Sequence, residues 1–368
     1  GPIVYRLGQL VFIQQRGVRF PLGPPLILYM NVYLHKIKHK LWESYKYNPP
    51  IKYKRFKFIS KAEHSFNNIP SSKKNKIIEF EQILLLTGTS LNYEFMLNNR
   101  KKLIERLNKE DIKYLIAPTE ICKNNALYYL SDDNRISKKI RVIHPSINIE
   151  KFNNAFKEKT KIDKEIKLLF IGQKFYGKGV PICFEIANRL NKKKIKFIFK
   201  LVCNDIPKNC EIPDNVEIIH SKISEDDKYK LYNWSHLFVF PVVQDSFGVY
   251  LECLETRTPI ISTDIYDKSD IITNNKTGIL IKTPYQLYEF ENFGLNWKNW
   301  IEFQDIFKKK FSEGLFDNLI NNFVSSIEEF LDNTEKYDKF VHNISNEAIK
   351  RFHPDIKKNA LISIYEKL

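Results

Sequence analysis

Cysteine is sparse in this chain and poorly placed for cross-linking. The five residues Cys122, Cys183, Cys203, Cys210 and Cys253 are scattered, odd in number and never form a Cys-x-x-Cys pair. This argues against a disulfide framework or a zinc knuckle and points to a reducing, cytoplasmic compartment. Long apolar runs are also missing. Stretches such as 26–29 and 168–171 fall far short of the roughly 18 residues that a bilayer-spanning helix needs, so no membrane crossing is expected. Neither an Asp-x-Asp pair nor a His cluster is present to hold a metal ion, so no metal site and no cofactor are expected. No helix-turn-helix, zinc-finger or RNA-binding signature accompanies the basic residues, which speaks against nucleic acid as a partner. Arg, Ala and Gly give way to Lys and Asn along the whole length, a coding bias that carries no functional weight.

What remains is ample for folding. With 368 residues, 43% of them hydrophobic and 14% aromatic, the chain has the composition of a folded protein and the length for two α/β domains. It begins Gly-Pro and not Met, which reads as a processed or engineered end and leaves room for an upstream segment. The net charge of +16 is unevenly placed: residues 1–150 hold 26 Lys and Arg against 12 Asp and Glu, and residues 151–368 hold 33 against 31. Nearly all the excess is therefore N-terminal. It serves either as a solubilising surface or as attraction for an anionic partner such as a membrane surface or a phosphorylated acceptor.

Hydrophobic patterning predicts alternating buried strands and helices in the C-terminal half. Strands are expected at 166–171, 197–202, 216–219, 237–240 and 259–262, and helices at 180–190, 225–232 and 249–255. Such βαβ alternation implies an open, doubly wound sheet. The N-terminal half is less regular, with strands expected at 26–29, 56–59, 83–86, 114–117 and 140–143 and helices at 100–107 and 120–129. The boundary falls at 147–152, giving an N-terminal domain over 1–148, a C-terminal domain over 149–345 and a helical tail over 346–368. That tail carries an apolar face at Ala360, Leu361, Ile364 and Leu368.

Two stretches carry chemistry. In 168–179 a buried strand runs into Gly172, a short loop, and Lys178-Gly179 at the start of a helix. A glycine permits close backbone approach, a helix N-terminus offers free N–H groups, and the Lys adds a full charge, so the turn suits phosphate, although an ordinary strand-turn-helix reads the same way. In 241–259 the strand 237–240 is followed by Gln244-Asp245-Ser246-Phe247-Gly248 and a helix bearing Glu252 and Glu255. Backbone N–H groups at such a turn can face a diphosphate, and the carboxylates can accept hydrogen bonds from sugar and ribose hydroxyls.

The segment Asp245-Ser246-Phe247-Gly248-Val249-Tyr250-Leu251-Glu252, with Thr258-Pro259-Ile260-Ile261 after it, resembles the paired-glutamate motif of retaining GT-B glycosyltransferases of family 4. Three further stretches agree in order and spacing: Leu169-Phe170-Ile171-Gly172 through Lys178-Gly179; Ile116-Ala117-Pro118-Thr119-Glu120 with the later Ile140-Arg141-Val142-Ile143-His144-Pro145; and Arg351-Phe352-His353 with Ile364-Tyr365. The resemblance covers roughly residues 110–285 and the terminal helix. It implies two Rossmann-like doubly wound domains facing a cleft, with a C-terminal helix able to cross back to the N-terminal domain. It implies transfer of a sugar from a nucleotide diphosphate sugar to an acceptor hydroxyl with retention of configuration, in glycan or glycolipid synthesis. The acceptor, a glycan, glycolipid or lipid-linked molecule, would sit on the N-terminal domain, and the enzyme would be cytoplasmic or peripheral at the inner face of a membrane.

By the same resemblance, Glu252 binds the ribose, Asp245 the donor sugar hydroxyls, and the backbone of Ser246, Phe247, Gly248 and Val249 the sugar and diphosphate. Lys178 holds the leaving diphosphate beside Gly172. Where the family has an Arg after that glycine, this chain has Gln173 followed by Lys174, which can supply the second positive charge as a point charge without a bidentate fork. Six residues separate Asp245 from Glu252 where the family has seven between its acids. Gln244 keeps that spacing, but Ser-Phe-Gly keeps register with Asp245. The family's glycine-rich loop after the first strand is not recognisable, and Thr87-Gly88-Thr89-Ser90 stands where a His is common. His64 is the nearby histidine suited to a substrate-binding role, with an ordinary surface or core position as the alternative. These gaps leave room for a different protein, a non-catalytic nucleotide-sugar-binding or scaffold partner of another transferase.

Overall fold

The computed structural model describes residues 32–34, 62–87, 93–130, 133–155, 161–219, 223–244, 248–291, 294–297 and 300–368. Strands Val32–Leu34 (β1), Ala62–Phe66 (β2), Asn75–Glu79 (β3), Ile112–Ala117 (β4) and Ile140–Val142 (β5) form a parallel sheet in sequential order. Helices Tyr93–Asn98 (α1), Arg100–Leu107 (α2), Glu120–Tyr129 (α3) and Asn134–Ser137 (α4) belong to the same half of the chain.

The second sheet is parallel and six-stranded. Its strands are Ile166–Ile171 (β6), Phe197–Val202 (β7), Val216–Ile219 (β8), Leu237–Phe240 (β9), Ile260–Asp264 (β10) and Gly278–Lys282 (β11), in the order β11-β10-β9-β6-β7-β8. Helices Ile149–Ala155 (α5), Val180–Lys192 (α6), Glu225–Trp234 (α7), Gly248–Glu255 (α8) and Lys268–Ile271 (α9) intervene. All four side chains of β9 are fully buried, as is Leu168-Leu169-Phe170 of β6. A strand covered by helices on both faces has no use for alternation, which is why these segments read as unbroken apolar runs. The winding reverses between β6 and β9, and a crevice at the carboxyl ends of these two strands is where ligands bind in open α/β sheets. An antiparallel pair, Tyr288–Glu291 (β12) and Gly294–Trp297 (β13), leads to helices Trp300–Ser312 (α10), Asp317–Asp332 (α11), Thr334–Phe352 (α12) and Pro354–Tyr365 (α13).

The strands expected at 26–29 and 56–59 lie outside the described residues. The one expected at 83–86 is instead a 3-10 turn, Ile83–Thr87, with Ile83, Leu84 and Leu86 buried. A short run of Ile and Leu carries no period that separates strand from helix, and here the Leu85 N–H returns to the Gln82 carbonyl at 3.0 Å. The strand in that part of the sheet is β3, which polar residues disguise: Lys76 is fully buried, donating to Asp111 at 2.6 Å and to the carbonyls of Ser72 and Lys74.

The C-terminal helix does cross back. Helix α12 packs on α8 and α11, then stops at His353, whose extended backbone (ψ 137°) is what a following Pro354 imposes. Helix α13 then runs against the first sheet, with its predicted apolar residues Leu361 and Ile364 buried. Lys357 Nζ lies 3.3 Å from Glu79 of β3, and Tyr365 Oη lies 2.6 Å from His64 Nδ1 of β2.

The two halves also meet at the start of α3. Thr119 caps this helix, accepting from the Cys122 N–H, and its hydroxyl donates to Asp267 Oδ2 at 3.3 Å. The free N–H of Ile121 is taken by Asp270 at 2.8 Å, a carboxylate from the other half at the positive end of a helix. Tyr266 donates to the Glu81 carbonyl at 3.2 Å.

Candidate functional site: the crevice between β6 and β9

The loop after β6 is folded tightly enough to demand its glycines. The Gly172 N–H extends the ladder to the Val202 carbonyl at 3.0 Å, and a Cβ on Gly172 would lie 2.8 Å from the Phe170 ring and 3.0 Å from Lys178 Cβ. The chain then makes a compact turn, with Lys178 N–H on the Lys174 carbonyl at 2.8 Å. Gly179, the N-cap of α6, has φ +75°, and a Cβ there would sit 2.0 Å from the Pro241 carbonyl oxygen. No L side chain fits that position.

The loop after β9 is stitched onto this turn. The N–H groups of Val243 and Gln244 both donate to the Gly177 carbonyl, at 3.2 and 2.9 Å, and Lys178 Nζ donates to the Gln244 carbonyl at 3.1 Å. The two sequence motifs therefore meet at the switch point, with a half-buried ammonium between them. Gln173 and Lys174 are exposed on the first loop, the Gln173 side chain accepting from Asn204 N–H at 3.4 Å. Asp245, Ser246 and Phe247 lie outside the described residues. Gly248 and Val249 open α8, and Glu252 follows one turn later.

Glu252 is largely buried with both oxygens engaged. Lys228 Nζ donates to Oε1 at 2.7 Å and Tyr232 to Oε2 at 2.9 Å. Both donors come from one face of α7, four residues apart. Glu255, the next acid of α8, is held separately by the Tyr229 hydroxyl and, at 2.6 Å, by the Asn148 N–H. Burial pushes the Glu255 pKa up to about 8 in spite of those two hydrogen bonds, which favour the charged form.

His64 does not join these residues. It is fully buried in β2, between Tyr365 and, at 3.4 Å, Glu79. This is the core position that the sequence also left open: the imidazole joins the sheet to the terminal helix, a contact that spans 301 positions and leaves no local trace. Sequence reading also missed Lys228 and Tyr232. Their i, i+4 spacing on a helix preceding the motif was the available signal.

A parallel sheet with its switch point between β6 and β9, joined to a second parallel sheet by a returning helix, is the arrangement of the GT-B fold. Residues 151–289 match the family model described as Glycosyl transferases group 1. Among solved structures, the chain is similar to a glycosyltransferase from Rickettsia africae, at 13% identity over 84% of this chain and 77% of that one, with TM-score 0.53. It is similar to Anabaena Alr3699/HepE in complex with UDP and glucose, at 11% identity over 84% and 78%, with TM-score 0.55. It is also similar to WaaG, a glycosyltransferase involved in lipopolysaccharide biosynthesis, at 14% identity over 83% and 78%, with TM-score 0.51. At such identities the likeness is one of fold. A comparison with curated proteins gives no match. Residues 151–289 thus form a group 1 glycosyltransferase domain, on a chain with the GT-B fold.

The buried Glu255 makes stability depend on pH. Its folded pKa of about 8 lies above the ordinary 4.5, so the folded state keeps a proton that the unfolded state releases, and stability falls as pH rises from about 4.5 to 8. Thermal melts of Glu255→Gln and of the native protein will diverge across this range, the variant becoming the more stable of the two toward pH 8. Parallel melting curves from pH 5 to 8 would show that Glu255 titrates normally.

Proposed function

We propose that this protein transfers a glycosyl group from a nucleoside diphosphate sugar to an acceptor hydroxyl, with retention of configuration, in glycan or glycolipid synthesis. The observation that carries this reading is the junction of the two loops at the switch point, with Lys178 Nζ 3.1 Å from the Gln244 carbonyl and Glu252 one turn into the following helix. In this reading the diphosphate sits over Gly172 and Lys178, and Lys178 with Lys174 opposes the negative charge that grows as the diphosphate leaves. Such preorganised cations are worth most in a crevice that excludes water. Asp245 and the backbone of residues 246–249 take the donor sugar, and Glu252 accepts from the ribose hydroxyls. The similar HepE structures with UDP and UDP-glucose make uridine nucleotides the first donors to try.

The acceptor, or its carrier, is anionic in this proposal, a lipid-linked sugar phosphate at a membrane surface. Among the described residues, a pocket of about 310 Å³ lined by Lys113, Lys138, Arg141, Lys367 and the terminal Leu368 lies at the amino ends of β3, β4 and β5, opposite the strand ends where ligands bind, and in this proposal it meets the anionic carrier or surface rather than the acceptor hydroxyl. In the Lys-rich run at 73–76, Lys73 is exposed, whereas Lys76 is internal. Two further runs rich in Lys and Arg, KIKHK at 36–40 and KYKRFK at 52–57, lie outside the described residues. Among the described residues no helix is long and apolar enough to cross a bilayer, so the contact in this proposal is peripheral.

Four experiments test these assignments. UDP should raise the melting temperature more than GDP or ADP, a ligand at 100 times its dissociation constant adding roughly 2.7 kcal/mol. Glu252→Ala should weaken nucleotide binding by about 1.5–3 kcal/mol while the protein stays folded, and unchanged affinity would remove Glu252 from the site. Lys178→Ala should lower kcat more than it raises KM, because the lost interaction strengthens in the transition state; near-normal turnover would exclude Lys178 from the chemistry. Co-sedimentation at low salt should favour anionic over neutral vesicles, each Lys or Arg at such a surface contributing about 1 kcal/mol. Equal, negligible binding to both would defeat the membrane contact and leave the transferase reading standing.

A further inference from the structure

We infer that Lys228 is a positioning residue for the donor nucleotide, acting through Glu252. The inference rests on the reading of Glu252 as the ribose acceptor and adds to it a second residue from a different helix.

The geometry is that of a clamp. Lys228 and Tyr232 stand four positions apart on α7, so they share one face and reach the same carboxylate from successive turns. One donor takes Oε1 at 2.7 Å and the other Oε2 at 2.9 Å. A carboxylate oxygen has two acceptor sites, so each oxygen of Glu252 keeps one for a ribose hydroxyl while the internal bond fixes its direction. The Glu252 side chain is 11% exposed and that of Lys228 only 7%. Both side chains are thus nearly covered, and Lys228 Nζ also donates to Glu225, an exposed acid of α7, at 2.9 Å.

Stability alone does not call for this lysine. Burying an ammonium opposite a carboxylate costs desolvation that the pairing barely returns, and a well-packed apolar side chain at the same place is often as stable or more so. Burial does oppose the Lys228 charge, but Glu252 and Glu225 outweigh it and hold the ammonium above its ordinary pKa. Glu255 is satisfied by Tyr229 and Asn148, so Lys228 is not needed there. What the pair accomplishes is to hold one carboxylate in one orientation beside the crevice.

The test is a double-mutant cycle read by calorimetric titration with UDP. Lys228→Met and Glu252→Gln should each raise the UDP Kd by roughly tenfold, and the double variant should be little worse than either single one, as for two residues acting as a unit. Tyr232→Phe, which removes one hydroxyl and keeps the ring, should raise Kd by a smaller factor and serves as the readout if Lys228→Met does not fold. An unchanged Kd in Lys228→Met, or effects that multiply in the double variant, would overturn the inference while a raised Kd in Glu252→Ala keeps Glu252 at the nucleotide. If Glu252→Ala binds UDP normally, the reading beneath the inference fails and the inference with it.

Discussion

The candidate site depends on one backbone carbonyl. Gly177 accepts from both Val243 and Gln244, and this shared acceptor locks the loop after β6 to the loop after β9. Because Gly179 adopts φ +75° directly beneath the Pro241 carbonyl, the first loop can approach the second only where no Cβ intervenes. Lys178 then bridges the same junction with its side chain. Two motifs more than sixty residues apart become one surface through hydrogen bonds that involve mostly main chain, so their geometry depends little on which side chains surround them.

The halves are joined by groups that had to be buried to join them. Asp267 and Lys268 form an ion pair that is essentially inaccessible to water, with the Asp267 carboxylate also accepting from Thr119. On the other side, Glu79 lies between His64 and Lys357. Buried charges of this kind are poor sources of stability but penalise any arrangement that leaves one member alone. They favour one docking of the terminal helix over others, and α13, continuing from a helix packed on the second domain, closes onto the first sheet at a defined place.

The second half was largely legible. Strand β9 and residues 168–170 of β6 appear as short apolar runs because both faces of the sheet are covered there, and the intervening helices show the 3.6 period. The first half was less so. Lys76 and Glu79 interrupt β3 with charges whose charged partners, Asp111 and Lys357, lie far along the chain, and the Ile-Leu run at 83–87 has the composition of a strand with the hydrogen bonding of a 3-10 turn. His64 illustrates the same limit, since its neighbours Tyr365 and Glu79 lie 301 and 15 positions away.

Local chemistry was enough to locate the glycines, the Lys178 turn and the acids of α8. Each depends on the identity of a residue within a few positions of a strand end: a missing Cβ, a charge beside a helix start, a carboxylate one turn into a helix. Which partners those groups acquire was decided only when the chain closed. That Glu252 would be clamped by Lys228 and Tyr232, that Glu255 would be buried enough to hold its proton, and that His64 would face a tyrosine at the far end of the chain all follow from burial. Desolvation and pairing of charge are properties of the packed molecule, and no local stretch of residues specifies them.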